Sequence, residues 1–180
     1  MRILKLKRKN LFSFLQAISD GAELWGPVKK GDQTIFDFIR PEEIGRLNLN
    51  FTRTLLPPKK IFVPPSFNMF HFTARGYEED YSWIRERILF GVHPCDIHGL
   101  LNLDRIFVQN YPDSYYVQAR QKTLILGLSC WPDDYCLCQS THTDIIEEGF
   151  DLFFSELGEE YLVWIGSSKG DDLIRMKPDF

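Results

Sequence analysis

Two short segments that are apolar at almost every position constrain this chain most. Residues 85–92 carry the run Ile88-Leu89-Phe90-Gly91-Val92, and residues 123–128 read Thr123-Leu124-Ile125-Leu126-Gly127-Leu128. Strands this apolar need cover on both faces, as in a parallel sheet packed between helices. The material between them fits that arrangement, with helices expected over 96–103 and 111–121. Each run also leads into a cysteine. Cys95 lies in Gly91-Val92-His93-Pro94-Cys95-Asp96, and Cys130 opens a loop that continues to Cys136 and Cys138. If the two runs are parallel neighbours, Cys95 and Cys130 emerge at the same carboxyl edge, where open α/β sheets place their sites. The loop carrying Cys136 and Cys138 can then fold back toward them.

Other elements are read more locally. Residues 11–18 read as a helix with Phe12, Leu15 and Ile18 near one face, and residues 23–27 as a closing turn. Residues 33–39 read as a strand, and residues 41–44 as a turn of helix. The proline-rich stretch 56–65 reads as an extended edge or surface strap. Residues 150–157 and 160–165 read as an antiparallel pair turning at Gly158-Glu159. The expected fold is α/β: a mixed, mainly parallel sheet with flanking helices and a four-cysteine loop at the carboxyl edge. Residues 1–180 are expected to form a single α/β domain. Within it, residues 1–65 supply an N-terminal helix, a strand and the strap, and residues 85–170 the cysteine-bearing core.

With 180 residues, 44% hydrophobic, the chain can fill a sizeable core. A formal charge of −4 gives no general pull toward nucleic acid, and Lys7-Arg8-Lys9 and Lys59-Lys60 are too few to change that. No apolar run reaches the roughly 18–20 residues needed to span a membrane, and residues 11–18 make a poor secretory segment. The expectation is a cytoplasmic protein without membrane insertion or nucleic-acid binding.

Cys95, Cys130, Cys136 and Cys138 are the only cysteines. Two disulfides are one arrangement and unliganded thiols another, but a chain of this size needs no covalent staple. Four thiolates also suit tetrahedral sulfur coordination, of zinc or of an iron–sulfur cluster. The spacing matches neither the paired knuckles of common zinc sites nor the bacterial ferredoxin run, and leaves both open. Pro94, Trp131, Pro132, Tyr135 and Leu137 are expected to screen such a centre, with Asp96 capping the helix after Cys95. His93, His98 and His142 are candidates to replace a ligand or relay protons, and Cys95 with His98 is a weaker nucleophile pair. Asp133 and Asp134 would sit on a solvated turn where they could steer docking. Gly166-Ser167-Ser168-Lys169-Gly170 lacks the glycine spacing of a phosphate loop and reads as turn chemistry.

On the phrases around Cys95 and Cys130…Cys136-Leu137-Cys138, the chain resembles the beta, iron–sulfur subunit family of cytoplasmic nickel–iron hydrogenases of the sulfhydrogenase type. That family also includes one of the components of anaerobic sulfite reductase. The likeness extends through Pro57-Pro58-Lys59-Lys60, Asp104-Arg105, Glu147-Glu148-Gly149-Phe150-Asp151-Leu152, Tyr161-Leu162-Val163, Gly166-Ser167 and Lys169-Gly170. The resemblance implies one [4Fe–4S] cluster on the four cysteines, rather than [2Fe–2S] or zinc. It implies an electron-transfer component of an oxidoreductase complex, itself non-catalytic, working between a flavin-containing, nicotinamide-linked or ferredoxin-like donor and a catalytic partner of anaerobic metabolism. Leu137 stands where the family commonly has Phe, and Trp131 and Thr141-His142 depart from the pattern, which implies a loop tailored to a different partner. Typical members continue into a ferredoxin-like region with two more cysteine-rich motifs. No cysteine follows Cys138 here, so the chain matches the N-terminal portion of such a subunit or a short relative of it. The readings that compete with electron transfer are a structural zinc module of a complex and an enzyme with a substrate-accessible metal.

Overall fold

The two apolar runs form adjacent parallel strands, here β6 (Arg87–Val92) and β7 (Thr123–Leu128), with Arg87 opposite Thr123 and Leu89 opposite Ile125. The computed structural model describes residues 2–109 and 111–177. The remaining strands are β1 (Arg2–Lys7), β2 (Glu23–Lys30), β3 (Gln33–Ile39), β4 (Phe70–Thr73), β5 (Gly76–Glu79), β8 (Leu152–Leu157) and β9 (Glu160–Ile165). The helices are α1 (Leu11–Ile18), α2 (Pro94–Phe107), α3 (Ser114–Gln121) and α4 (Ser168–Met176).

Seven strands make one mixed sheet in the order β1-β9-β8-β7-β6-β2-β3, while β4 and β5 form a separate hairpin. The four central strands, β8, β7, β6 and β2, are parallel, and antiparallel strands flank them on both sides. Alternation along the strands divides the interior into two cores. Ile88, Phe90, Leu126 and Leu128 face one core with Leu11, Phe14, Leu15 and Ile18 of α1 and Leu173 of α4. Leu89 and Ile125 face the other with Ile97 and Leu100 of α2 and Tyr115, Tyr116 and Ala119 of α3. Helices therefore flank both faces, the arrangement that strands apolar at every position require.

Several elements differ from expectation for identifiable reasons. The inward face of α1 is Leu11, Phe14, Leu15 and Ile18, with Phe12 only half-buried. Residues 23–27 belong to β2 and are not a turn. The parallel ladder from β2 to β6 covers only Glu23–Trp25, so the missing N–H of Pro27 falls beyond it. The proline-rich stretch is neither an extended edge nor wholly superficial. It forms a short 3₁₀ turn, Pro58–Ile61, that delivers Ile61 and Phe62 into the second core. Buried Arg87 holds that turn, donating to the Ile61 carbonyl at 3.3 Å, the Trp83 carbonyl at 2.6 Å and Glu23 at 3.1 Å.

The first expected helix, 96–103, is longer at both ends as α2. The second, placed at 111–121, begins at Ser114, where the Asp113 side chain accepts from the Tyr116 amide at 2.8 Å. Gly166–Gly170 proves to be a helix start: the Ser167 hydroxyl accepts from the Gly170 amide at 3.1 Å and opens α4. Among the described residues, no helix is long and apolar enough to cross a membrane.

Candidate metal centre

The β6–α2 junction positions the first cysteine. Gly91 adopts φ +84°, where the register with β7 shifts between Phe90 and Val92, and a Cβ there would lie 2.8 Å from Pro27 Cδ. Only glycine meets both demands without strain. The extended His93 then acts as N-cap, Pro94 occupies the first helical position and Cys95 the second. Cys95 thus sits in the first turn of a 14-residue helix, whose dipole favours a thiolate. His93 is buried and stacked on Phe51, ring centroids 4.2 Å apart and 17° from parallel. Burial pushes its imidazole down to about 4, against a hydrogen bond with the Thr52 backbone.

Cys130 follows β7. Its neighbour Ser129 extends the pairing with β8: the Ser129 amide donates to the Phe154 carbonyl at 2.8 Å, and its hydroxyl accepts from the Glu156 amide at 3.0 Å. This holds Cys130 at the carboxyl edge, beside Cys95. The following loop is organised by Asp133, whose carboxylate accepts from the Tyr135 amide at 3.0 Å and from the Cys136 thiol at 3.3 Å. The Asp133 amide in turn donates to Cys136 Sγ at 3.4 Å. Arg53 clamps this turn from outside, 2.8 Å from Asp133 and 5.5 Å from the centre of the Tyr135 ring. Beyond it, the Thr143 amide donates to the Cys138 carbonyl at 2.8 Å.

All four cysteines line one cavity of about 260 Å³, together with Thr52, Arg53, His93 and Pro94. All four are half-buried and none is in a disulfide. Burial raises Cys95 to about 12, with the charges of Asp96, Cys138 and Cys130 adding to it. Burial likewise raises Cys130 to about 11, with Cys136 and Cys138 next. The Asp133 amide favours the Cys136 thiolate, but burial and the Asp133 carboxylate outweigh it and leave that thiol raised too. Such a group of thiols ionises together only if cationic charge enters among them. Among the described residues, no set of three or more His, Cys, Asp or Glu side chains is closed up as a ready site for a single ion.

Other expected residues fall differently. Pro94 is buried against the cavity, but Tyr135 and Leu137, at 79% and 72% exposed, rim it more than they screen it, and Trp131, 79% exposed, does not line it. Asp96 lies inside the first turn of α2 and caps nothing. Burial raises its carboxyl to about 6, partly offset by Lys59. His98 hydrogen-bonds the Ile145 carbonyl at 2.8 Å, which makes it a loop tie, and exposed His142 takes a left-handed turn conformation at φ 54°. Neither lines the cysteine cavity. Thr52 and Arg53 escaped the sequence reading, since no local motif links a loop after β3 to cysteines so far along the chain.

Fold and site together define an α/β protein with a four-cysteine pocket at the carboxyl edge of its parallel strands. No protein-family model matches the chain, and no solved structure does. Among curated proteins, it is 38% identical over 174 residues to sulfhydrogenase 2 subunit beta of Pyrococcus furiosus. That alignment takes in 97% of this chain and 51% of the relative, so the chain spans about half the length of the curated protein it matches.

Proposed function

We propose that this chain is an electron-transfer component of an oxidoreductase assembly, and that Cys95, Cys130, Cys136 and Cys138 together hold one [4Fe–4S] cluster. The observation that carries this reading is the convergence of four cysteines, from two strand ends and a loop, on one cavity. The donor set fits: a cluster takes each thiolate on a separate iron, so its ligands ring a cavity instead of closing on one point. When bound, the cluster would accept and release single electrons. The chain's own residues do the rest. The α2 N-terminus and the Asp133 amide stabilise sulfur charge, buried Pro94 and His93 keep one wall dry, and the exposed rim of Tyr135 and Leu137 is open to a partner.

The relative's name, sulfhydrogenase 2 subunit beta, supports a place in a hydrogenase-type complex. Membership of that beta-subunit family, cytoplasmic location, a flavin-containing electron donor and a catalytic partner as acceptor belong to the same proposal. So does the organisation of residues 1–180 as one α/β unit. Iron, acid-labile sulfide and zinc content of anaerobically prepared protein tests it, with electron paramagnetic resonance before and after dithionite. Expected are roughly four iron and four sulfide per chain with a reducible signal. One zinc and no sulfide would replace the electron-transfer reading with a structural metal site.

A further inference from the structure

A second and larger cavity, of about 560 Å³, adjoins the cysteine site and shares Pro94, Cys130 and Asp144 with it. A third hollow, of about 660 Å³, shares Ile145, Ile146 and Glu147 with the second. The three therefore adjoin along one face of the molecule. The middle hollow has apolar walls, with Phe150 and Phe153 tilted at 5.4 Å between centroids and Ile146 beside them. At its rim Ile145 is 71% exposed, although His98 fixes the backbone there by its bond to the Ile145 carbonyl. An aliphatic side chain held out to water beside an apolar hollow is the pattern of an interface core and not of a folding core.

Charge selects what the face would take. Residues 123–168 contain no Lys or Arg, while Asp133, Asp134, Asp144, Glu147 and Glu148 all fall within them. The linings of the three hollows carry Asp144, Glu147 and Glu148, none of which is in an ion pair among the described residues. Two cations reach the same linings from other parts of the chain. Arg53 is held by Asp133 at 2.8 Å, and Arg105 donates to Asn102 at 3.2 Å. The face is thus apolar in the middle and net negative around it. Nucleic acid, an anionic membrane or an acidic protein would be repelled there, and a basic protein surface attracted.

We infer that this face is the docking surface for a basic protein partner, which seats an apolar side chain in the middle hollow and ranges Lys or Arg side chains against Asp144, Glu147 and Glu148. The inference deepens the electron-transfer reading by giving the partner's surface chemistry next to Cys130, but the surface itself requires no metal. Binding alone can therefore fail while metal content stands, and the reverse.

Amide NMR titration of the intact protein tests this with three capped hexapeptides: Phe-Leu flanked by two lysines on each side, Ser-Ser in the same lysine frame, and Phe-Leu flanked by glutamates. The first is expected to bind with Kd below about 1 mM at low salt, and the other two roughly tenfold more weakly or not at all. Shifts should centre on Ser129 and residues 145–150, and affinity should fall at least about threefold from roughly 20 to roughly 200 mM salt. Replacing Glu147 and Glu148 together by Gln should weaken binding roughly fivefold or more. Neither lines the cysteine cavity, so metal content should be unchanged. Glu42→Gln with Glu78→Gln, the same change in charge on exposed carboxylates elsewhere, should leave affinity within about twofold. Ser155→Phe, which fills the middle hollow, should bring the Phe-Leu peptide down to the affinity of the Ser-Ser one. Circular dichroism establishes that each variant folds. No binding of the basic Phe-Leu peptide, equal affinity for either control peptide, shifts centred elsewhere, or full affinity in the folded Glu147/Glu148 variant would each overturn the inference.

Discussion

At the scale of single residues, the chain uses few buried charges, and each has an identifiable task. Asp151, at the start of β8, is the clearest. Its carboxylate accepts from the Ile125 amide at 2.7 Å and from the Ser167 hydroxyl at 2.5 Å, so one side chain joins β7, β8 and the cap of α4. Its own amide donates to the Ile125 carbonyl, and its carbonyl accepts from the Gly166 amide. Gly170 must be glycine beside it, because a Cβ there would lie 2.0 Å from the Asp151 carbonyl oxygen. Asp151→Ala would break two hydrogen bonds to a carboxylate and strand the Ile125 N–H. The expected loss is about 3 kcal/mol, or roughly 6–12 °C in Tm for a chain of this size. Thermal unfolding followed by circular dichroism measures it, and a shift below about 2 °C would refute the assigned role.

At the scale of elements, legibility followed pattern strength. Strands β6 and β7, as near-continuous apolar runs, helix α1 and the β8–β9 pair appear close to where expected, and β3 matches residue for residue. Strand β1 was hidden because Arg2, Lys5 and Lys7 make it look like a charged leader. As an edge strand against β9 it buries only Leu6 fully. Helix α4 was hidden because its start reads as a glycine–serine turn, and only the Ser167 cap and the fit of Leu173 into the core reveal it. The candidate site was legible through its cysteines, since parallel strands fix where Cys95 and Cys130 emerge. The Arg53 clamp and the adjoining cavity depend on tertiary packing that no local signal encodes. The β4–β5 hairpin was also missed. Its Phe72 is 83% exposed and its Tyr77 lies opposite, so the apolar residues pack on one another and not on a core. Replacing both Phe72 and Tyr77 by Thr should therefore change stability by less than about 0.5 kcal/mol. Urea unfolding of the double variant checks this, and a loss above about 2 kcal/mol would mean that the hairpin supports the main fold.

For the whole molecule, the sheet and the cysteine loop have separate sources of stability. Both hydrophobic cores are built mainly from strands, helices and the Pro58–Ile61 turn; the segment 130–150 adds Phe150 at its end, with Ile146 packed beside it, and no cysteine belongs to either core. The segment 130–150 has no helix or strand, and Trp131, Tyr135, Leu137 and Ile145 face solvent. Up to Ile145 the protein holds it mainly through Asp133, Arg53, the Cys138 carbonyl and the His98–Ile145 tie, and beyond that through Ile146 and Phe150 against the second core. Cysteine-bound metal would add three anchors from this segment to Cys95 of α2. It follows that stripping metal with a chelator should loosen the loop and leave the sheet folded, unlike a small zinc domain in which metal and fold are lost together. Far-UV circular dichroism should stay within about a tenth of its starting value, while protease cleavage within residues 131–148 should accelerate roughly tenfold. Global unfolding on metal removal would place the centre inside the folding unit. Unchanged cleavage would mean that metal does not tether the loop, and the four-cysteine ligand set would fall with it.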